Sequence, residues 1–97
     1  MQDLSGQLAF ITGGASGAGF GQAMVFGRAG AEIVIADVRA EAIETAVRTL
    51  SEHQIKAHGI VLDIMDREAY AKAADEVEAV FGRAPTILSN TAGVNSF

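Results

Sequence analysis

The chain has 97 residues, enough for one small domain, and with 49% hydrophobic and 20% charged residues its composition is that of a globular protein. Its net charge of -5, with scattered Lys and Arg, argues against a nucleic-acid partner and against a basic membrane anchor. The absence of cysteine excludes disulfides, thiolate metal sites and thiol nucleophiles.

The N-terminal residues have neither a basic region nor an apolar core typical of a signal peptide. No apolar run approaches the ~20 residues of a membrane helix. We therefore expect a cytoplasmic protein with no membrane partner and no bound metal.

The first half of the chain alternates strand patterns with a helix pattern. Residues 7–12 form an apolar run that ends in glycines, which is typical of a buried parallel strand. Residues 17–29 favour a helix, and Gly30 is a good stop signal. Residues 32–36 form a second strand pattern, rich in β-branched side chains.

The second half repeats the alternation. The pattern predicts a helix at 40–53, a strand at 56–62, a helix capped by Asp66 and running to about residue 81, and a strand at 86–90. The side chains expected to face the sheet are Ile43, Ala46, Val47 and Leu50 in the first of these helices and Ala69, Ala73, Val77 and Val80 in the second.

The order β-α-β-α-β-α-β predicts an α/β fold in which parallel strands are joined by right-handed crossovers. In a doubly wound, Rossmann-type sheet, the first three strands build outward from strand one, and the fourth returns to its other side. A ligand is expected at this switch point, beyond the carboxyl ends of the strands.

A glycine-rich turn follows the first strand. Gly13 lets the chain leave the strand sharply, Gly17 and Gly19 let the backbone approach a diphosphate, and Gly21 is expected to let the helix pack near strand one. The unpaired amides at the start of the helix then bind the anion. The alternative is a glycine-rich connection without a ligand, since Gln22 stands where G-x-G-x-x-G has its last glycine.

Asp37 follows the second strand, eighteen residues after Gly19. An acid at this distance accepts hydrogen bonds from the adenosine ribose of NAD and repels the 2′-phosphate of NADP. The nearby Arg39 leaves some room for NADP. Asp37 could also cap the helix that begins near Ala40.

Four motifs at strand ends together resemble the short-chain dehydrogenase/reductase family. They are T-G-x-x-x-G-x-G at 12–19, Asp37, the acid-plus-apolar pair at 63–64, and Asn-Thr-Ala-Gly at 90–93, which is similar to the family's Asn-Asn-Ala-Gly. The resemblance extends over residues 6–94. It identifies residues 1–97 as the N-terminal part of a single NAD(P)-binding Rossmann domain, with four strands, three crossover helices and a truncated sheet.

The resemblance implies cofactor contacts along this edge. The implied pyrophosphate-binding residues are Gly13, Ser16, Gly17, Ala18 and Gly19. Asp37 would hold the ribose, Asp63 and Ile64 would border the adenine, and Asn90, Ala92 and Gly93 would lie near the inner ribose. Asn90 would also brace the sheet, and for Asp63 a strand-end cap is nearly as well supported as an adenine contact.

The chain departs from the family in three ways. Ala18 stands where the family commonly has Ile or Leu, and Thr91 replaces the second Asn. The family catalyses with a Ser and a Tyr-x-x-x-Lys pair in its second half, whereas here the only tyrosine is Tyr70 and Lys72 follows at the wrong spacing. We therefore expect no catalytic residue in this chain, and no turnover by the chain alone.

The complete enzyme is expected to transfer a hydride between NAD, in preference to NADP, and a small secondary alcohol or ketone. Two alternatives stay open, an S-adenosylmethionine-binding, methyltransferase-like domain and a non-catalytic dinucleotide-binding protein. The fourth strand would leave an open sheet edge, so we expect a homo-oligomer, or aggregation when the chain is prepared alone.

Overall fold

The computed structural model describes residues 3–91, and these form alternating strands and helices. In chain order the elements are β1 (Leu8–Thr12), α1 (Gly17–Arg28), β2 (Glu32–Asp37), α2 (Ala40–Glu52), β3 (Ala57–Val61), α3 (Arg67–Phe81) and β4 (Ile87–Asn90). Each boundary lies within one residue of the prediction. The predicted Ala92 and Gly93 lie outside the described residues.

The four strands form one parallel sheet in the order β3-β2-β1-β4. The predicted doubly wound topology, with its switch point between β1 and β4, is confirmed. Thr12 at the end of β1 pairs with Ala36 of β2 and with Asn90 of β4. The carboxyl ends of these three strands are therefore level, and they frame one edge of the sheet.

The core has two layers because successive residues of a strand point to opposite faces of the sheet. Ile11 and Ile35 pack in the layer with α1 and α2, whereas Phe10 and Val34 pack in the layer with α3. Every residue of β1 is buried. Full burial of a large aliphatic side chain stabilises the fold by roughly 1.5–3 kcal/mol, so this central strand holds the switch point rigidly.

Helix α3 has clear signals at both ends. The Asp66 carboxylate accepts a hydrogen bond from the Ala69 amide at 3.1 Å, which confirms the predicted cap, and Gly82 ends the helix in the left-handed conformation with φ 73°. The expectation that Val80 faces the sheet is wrong, because 43% of it is exposed. Phe81 packs against the core in its place, at four-residue spacing from the buried Val77.

Candidate functional site

A cleft of about 380 Å³ lies at the carboxyl ends of β1, β2 and β4. Its lining residues come from the β1–α1 turn, the end of β2 and the end of β4: Gly13, Ser16, Gly17, Ala18, Gly19, Asp37, Arg39 and Thr91. Six of these eight are predicted cofactor-binding residues, and the structure brings them together. The other two, Arg39 and Thr91, were not predicted to contact the cofactor.

The β1–α1 turn folds back over the end of β2. The amides of Gly13 and Gly14 donate to the Ala36 carbonyl at 2.8 and 3.3 Å. A Cβ on Gly19 would lie 2.1 Å from the Gly13 carbonyl oxygen, so the helix approaches the turn as closely as only glycine allows. Gly17 has φ +58° and open space where a Cβ would stand, which leaves the cleft clear in front of the helix.

The start of α1 is uncapped and carries no acid. The N-cap residue Ser16 makes no side-chain hydrogen bond to the first turn, and the first turn contains no acidic residue. The first amides of a helix have no partner within it and carry a partial positive charge. Neutral donors beside glycines, which have no Cβ to block the approach, fit a diphosphate, because such a group needs close backbone approach more than it needs lysine.

Asp37 lies at the back of the cleft and is only 7% exposed. One carboxylate oxygen, Oδ2, accepts from the Ala15 amide at 3.3 Å, and the other, Oδ1, accepts from the Arg39 amide at 3.2 Å. The Arg39 guanidinium reaches both oxygens at 3.2 Å and the Ser16 hydroxyl at 2.6 Å. It therefore crosses the cleft from the end of β2 to the glycine turn.

These contacts decide the protonation of Asp37. Burial by itself would raise the pKa of this carboxyl, but the hydrogen bonds from the Arg39 side chain and from the Arg39 and Ala15 amides outweigh burial and lower the pKa below its ordinary value. Asp37 is consequently a buried carboxylate at neutral pH. It does not cap the first turn of α2, since its amide partners are Ala15 and the N-cap residue Arg39.

The third side of the cleft is tied to β1 by side-chain hydrogen bonds. The buried Thr12 donates its hydroxyl to Asn90 Oδ1 at 2.8 Å, and Thr91 donates its own to the Thr12 carbonyl at 2.6 Å. Asn90 therefore links β4 to β1 through its side chain, as predicted for a residue that braces the sheet. Thr91 keeps the turn and β4 together, and its hydroxyl oxygen lies 2.8 Å from where a Cβ on Gly19 would stand.

Asp63 and Ile64 are not among the residues of the described chain that line the cleft. The exposed Asp63 accepts from the Met65 amide at 2.9 Å, as expected of the strand-end cap that was the alternative to an adenine contact. Ile64 is half-buried against the α3 layer of the core. The expectation for Gly21 is wrong, because nothing lies within 4 Å of its Cβ position, and Gly14 makes the close approach to β1 and β2 instead.

Tyr70 and the histidines lie elsewhere. The Tyr70 ring packs on Phe10 with 5.9 Å between centroids, and 38% of the residue is exposed, so Tyr70 lies at the edge of the core. His58 of β3 pairs with Glu76 of α3 at 2.6 Å. Within residues 3–91 no group of three metal-ligating side chains comes together, and no helix combines the length and apolar character of a membrane span.

A parallel sheet with a glycine turn and an acid at neighbouring strand ends defines the class of Rossmann-like α/β domains. Comparison with known proteins narrows this class. The sequence model described as short chain dehydrogenase matches residues 7–97, and the chain belongs to that family. The match favours the dehydrogenase interpretation over the methyltransferase-like one.

Among its relatives, the chain is 78% identical over 97 residues to the C alpha-dehydrogenase of Sphingobium sp. (strain NBRC 103272 / SYK-6), and it spans about a third (32%) of that protein's length. The crystal structure of the apo form of LigD from Sphingobium sp. strain SYK-6 superposes with a TM-score of 0.93 at 79% identity, covering 98% of this chain and 40% of that one.

The fold is also shared with more distant oxidoreductases. L-Sorbose reductase from Gluconobacter frateurii, solved with NADPH and L-sorbose, superposes with a TM-score of 0.84 at 31% identity, covering 90% of this chain and 33% of that one. A protein of the same fold therefore takes the phosphorylated cofactor. Cofactor preference has to be argued from the residues of this cleft.

Sequence reasoning missed two lining residues. For Arg39 there was a signal, since an arginine two residues after an acid at a strand end is within reach of that acid. For Thr91 the signal was that it replaces the second Asn of the family's Asn-Asn-Ala-Gly motif. Its contact with the turn could not be predicted, because that contact depends on the register of β1 and β4.

Proposed function

We propose that this chain forms the dinucleotide-binding part of an NAD-dependent oxidoreductase, which transfers a hydride between nicotinamide and a secondary alcohol or ketone. The observation that carries the proposal is one cleft lined by both the uncapped start of α1 and the buried carboxylate of Asp37. Neutral amide donors suit a diphosphate, and an anionic acceptor beside them suits a sugar diol.

In this proposal the backbone of Gly13 and of residues 16–19 binds the pyrophosphate, and Asp37 accepts from the adenosine ribose. Asn90 and Thr91 hold the end of β4 level with β1, so the cofactor's inner half can lie across the switch point. Contacts from Asp63, Ile64, Ala92 and Gly93 remain part of the proposal. When bound, the nicotinamide supplies the group that accepts or gives the hydride.

The preference for NAD rests on the charge of Asp37. Two unit charges about 4 Å apart repel by about 4 kcal/mol at an effective dielectric constant of ~20. A 2′-phosphate beside this carboxylate would meet repulsion of that order, reduced by the Arg39 guanidinium 3.2 Å from the same oxygens. We therefore expect NAD to bind more tightly than NADP, with a moderate ratio.

For the substrate, the name of the relative at 78% identity points to oxidation at a carbon designated Cα. We propose a small-molecule alcohol oxidised at such a carbon. The proton-transfer groups are proposed to lie outside this chain, because Tyr70 packs on Phe10 and does not line the cleft. Inactivity of the chain alone, a homo-oligomeric state and a cytoplasmic location stay predictions.

Calorimetric titration of the intact protein with NAD, NADP and S-adenosylmethionine tests the proposal. We expect NAD to bind about tenfold or more tightly than NADP, a difference of ~1.4 kcal/mol, and S-adenosylmethionine not to bind. Equal affinity for the two dinucleotides would contradict the NAD preference, and binding of S-adenosylmethionine alone would overturn the function. An absorbance assay for reduced nicotinamide, run with NAD and an added secondary alcohol, distinguishes an enzyme from a protein that only binds the dinucleotide.

A further inference from the structure

We propose that Arg39 is a specificity-determining residue of the cleft, whose guanidinium occupies the acceptor positions of Asp37 until the adenosine ribose displaces it. This inference rests on the proposed function, because it concerns how the same cleft admits its ligand. Arg39 would then lower the affinity for an unphosphorylated ribose. It would also reduce the repulsion between Asp37 and a 2′-phosphate.

The Asp37 carboxylate already accepts four hydrogen bonds. Oδ1 accepts from the Arg39 amide and Nε, each at 3.2 Å, and Oδ2 accepts from the Ala15 amide at 3.3 Å and Arg39 Nη2 at 3.2 Å. A carboxylate has about four lone-pair sites, so these four bonds fill it. A ribose diol that donates to Asp37 must therefore replace bonds already present.

A ligand can replace only two of these four bonds. Two come from main-chain amides that belong to the turn and to the start of α2, and these cannot leave without unfolding the cleft. The other two come from the Arg39 side chain, which is 56% exposed while that of Asp37 is only 6% exposed. An ion pair with one partner so open to water contributes little stability, so a ligand can displace it.

Arg39 and Asp37 both line the cleft, and the guanidinium also reaches the Ser16 hydroxyl at 2.6 Å. The guanidinium thus lies between the ribose acceptor and the glycine turn, on the path between the two predicted contacts of one dinucleotide. Two donated bonds from a diol equal the two side-chain bonds lost, and the exchange leaves Asp37 fully hydrogen-bonded.

The consequence is a trade between affinity and discrimination. A protein whose binding-competent form is only fractionally populated binds its ligand more weakly by that fraction. After displacement the guanidinium is still tethered two residues from Asp37, where it can offset the charge of a 2′-phosphate. Removing the guanidinium should therefore tighten binding of NAD and leave NADP facing an unneutralised carboxylate.

The test uses calorimetric titration of the intact protein with four probes: NAD, NADP, ADP and 2′-deoxy-ADP. Arg39→Met removes the guanidinium and keeps an unbranched stem, and Arg48→Met, on the exposed face of α2, is the matched control. The expected result for Arg39→Met is a fall of about two- to fivefold in the Kd for ADP and NAD, the size expected from one exposed ion pair. The preference for ADP over 2′-deoxy-ADP, and for NAD over NADP, should rise by at least the same factor.

A residue that merely organised the loop would change the affinity for all four probes together and leave both preferences as they were. Unchanged or smaller preferences in Arg39→Met, or the same change in Arg48→Met, would overturn the role of Arg39 while the proposed function stands. If the unmodified protein binds neither NAD nor ADP, the proposed function fails first and this role fails with it.

Discussion

Asp37 is a charged residue that is buried in the fold. Its carboxylate is nearly inaccessible, and burial alone would raise its pKa, yet bonds from Arg39 and from the Ala15 amide hold that pKa below its ordinary value of 3.8. A group whose pKa is lower in the folded than in the unfolded state stabilises the fold above its ordinary pKa. This contribution is lost as pH falls through the lowered, folded-state pKa.

We therefore predict that Asp37→Asn flattens the acid side of the stability profile. In the unmodified protein the thermal midpoint should fall as pH drops from about 5 to about 3, because the unfolded chain then takes up a proton at this carboxyl, whereas the folded state, with its lowered pKa, takes it up only at lower pH. The variant should lose less stability over that interval. Asp75→Asn, which removes the same charge from an exposed position on α3, is the control, and equal slopes in both variants would contradict the linkage.

Single residues also show what a sequence can reveal of a site. Gly13, Gly17, Gly19 and Asp37 could be predicted because the chemistry lies in the residue type and its distance from a strand end. The sequence indicates that Arg39 is near Asp37, but it does not show the side-chain conformation that returns to Asp37 and also reaches Ser16, 23 residues earlier in the chain. The close approach of the backbone to the sheet was predicted at Gly21 but occurs at Gly14. A glycine in the sequence does not show whether a Cβ at that position would meet another atom.

At the scale of elements, the β1–α1 turn gives a matched pair of substitutions. A Cβ on Gly19 would lie 2.1 Å from the Gly13 carbonyl oxygen and 2.8 Å from the Thr91 hydroxyl, whereas a Cβ on Gly21, one half-turn further along α1, would meet nothing within 4 Å. The same change of residue therefore has opposite expected consequences at positions two residues apart.

We predict that Gly19→Ala destabilises the protein by about 1–3 kcal/mol, because the turn must shift to relieve the overlap. It should also weaken NAD binding by about tenfold or more, equivalent to ~1.4 kcal/mol. Gly21→Ala should leave binding unchanged and raise stability by up to about 1 kcal/mol through helix propensity. Denaturant unfolding measures the stability of each variant, and titration with NAD measures its affinity. Equal effects of the two variants would show that the turn tolerates a side chain.

The helices and strands could be predicted from the periodicity of apolar residues. The exception is the orientation of Val80 in α3, which was expected to face the sheet. Along α3 the sheet-facing stripe is Ala69, Ala73, Val77 and Phe81, in steps of four residues. Apolar character at Val80 suggested a step of three from Val77, which points that side chain out of the stripe. Only the position of the helix over the sheet decides between the two steps.

At the scale of the whole molecule, the sheet is covered unequally. Helices α1 and α2 lie over one face, whereas α3 is the only helix over the other within residues 3–91. On that second face a mostly apolar hollow of about 210 Å³ lies beside β4, lined by Phe10, Tyr70, Ala74, Pro85 and Leu88. Leu88, which pairs with Phe10 across the strands, is 73% exposed.

An edge strand with an exposed apolar side chain is a template for pairing with another chain. We therefore predict that the 97-residue chain, prepared by itself, self-associates through β4 in a concentration-dependent way that sedimentation velocity detects. Leu88→Lys should shift the population toward monomer, because a charge on an edge strand opposes pairing and the hollow loses its most exposed apolar side chain. Val25→Lys makes the same change at a 65%-exposed position on α1, and it should leave association as it was. A monomeric unmodified chain, or equal effects of the two lysines, would mean that β4 is not the surface through which copies meet.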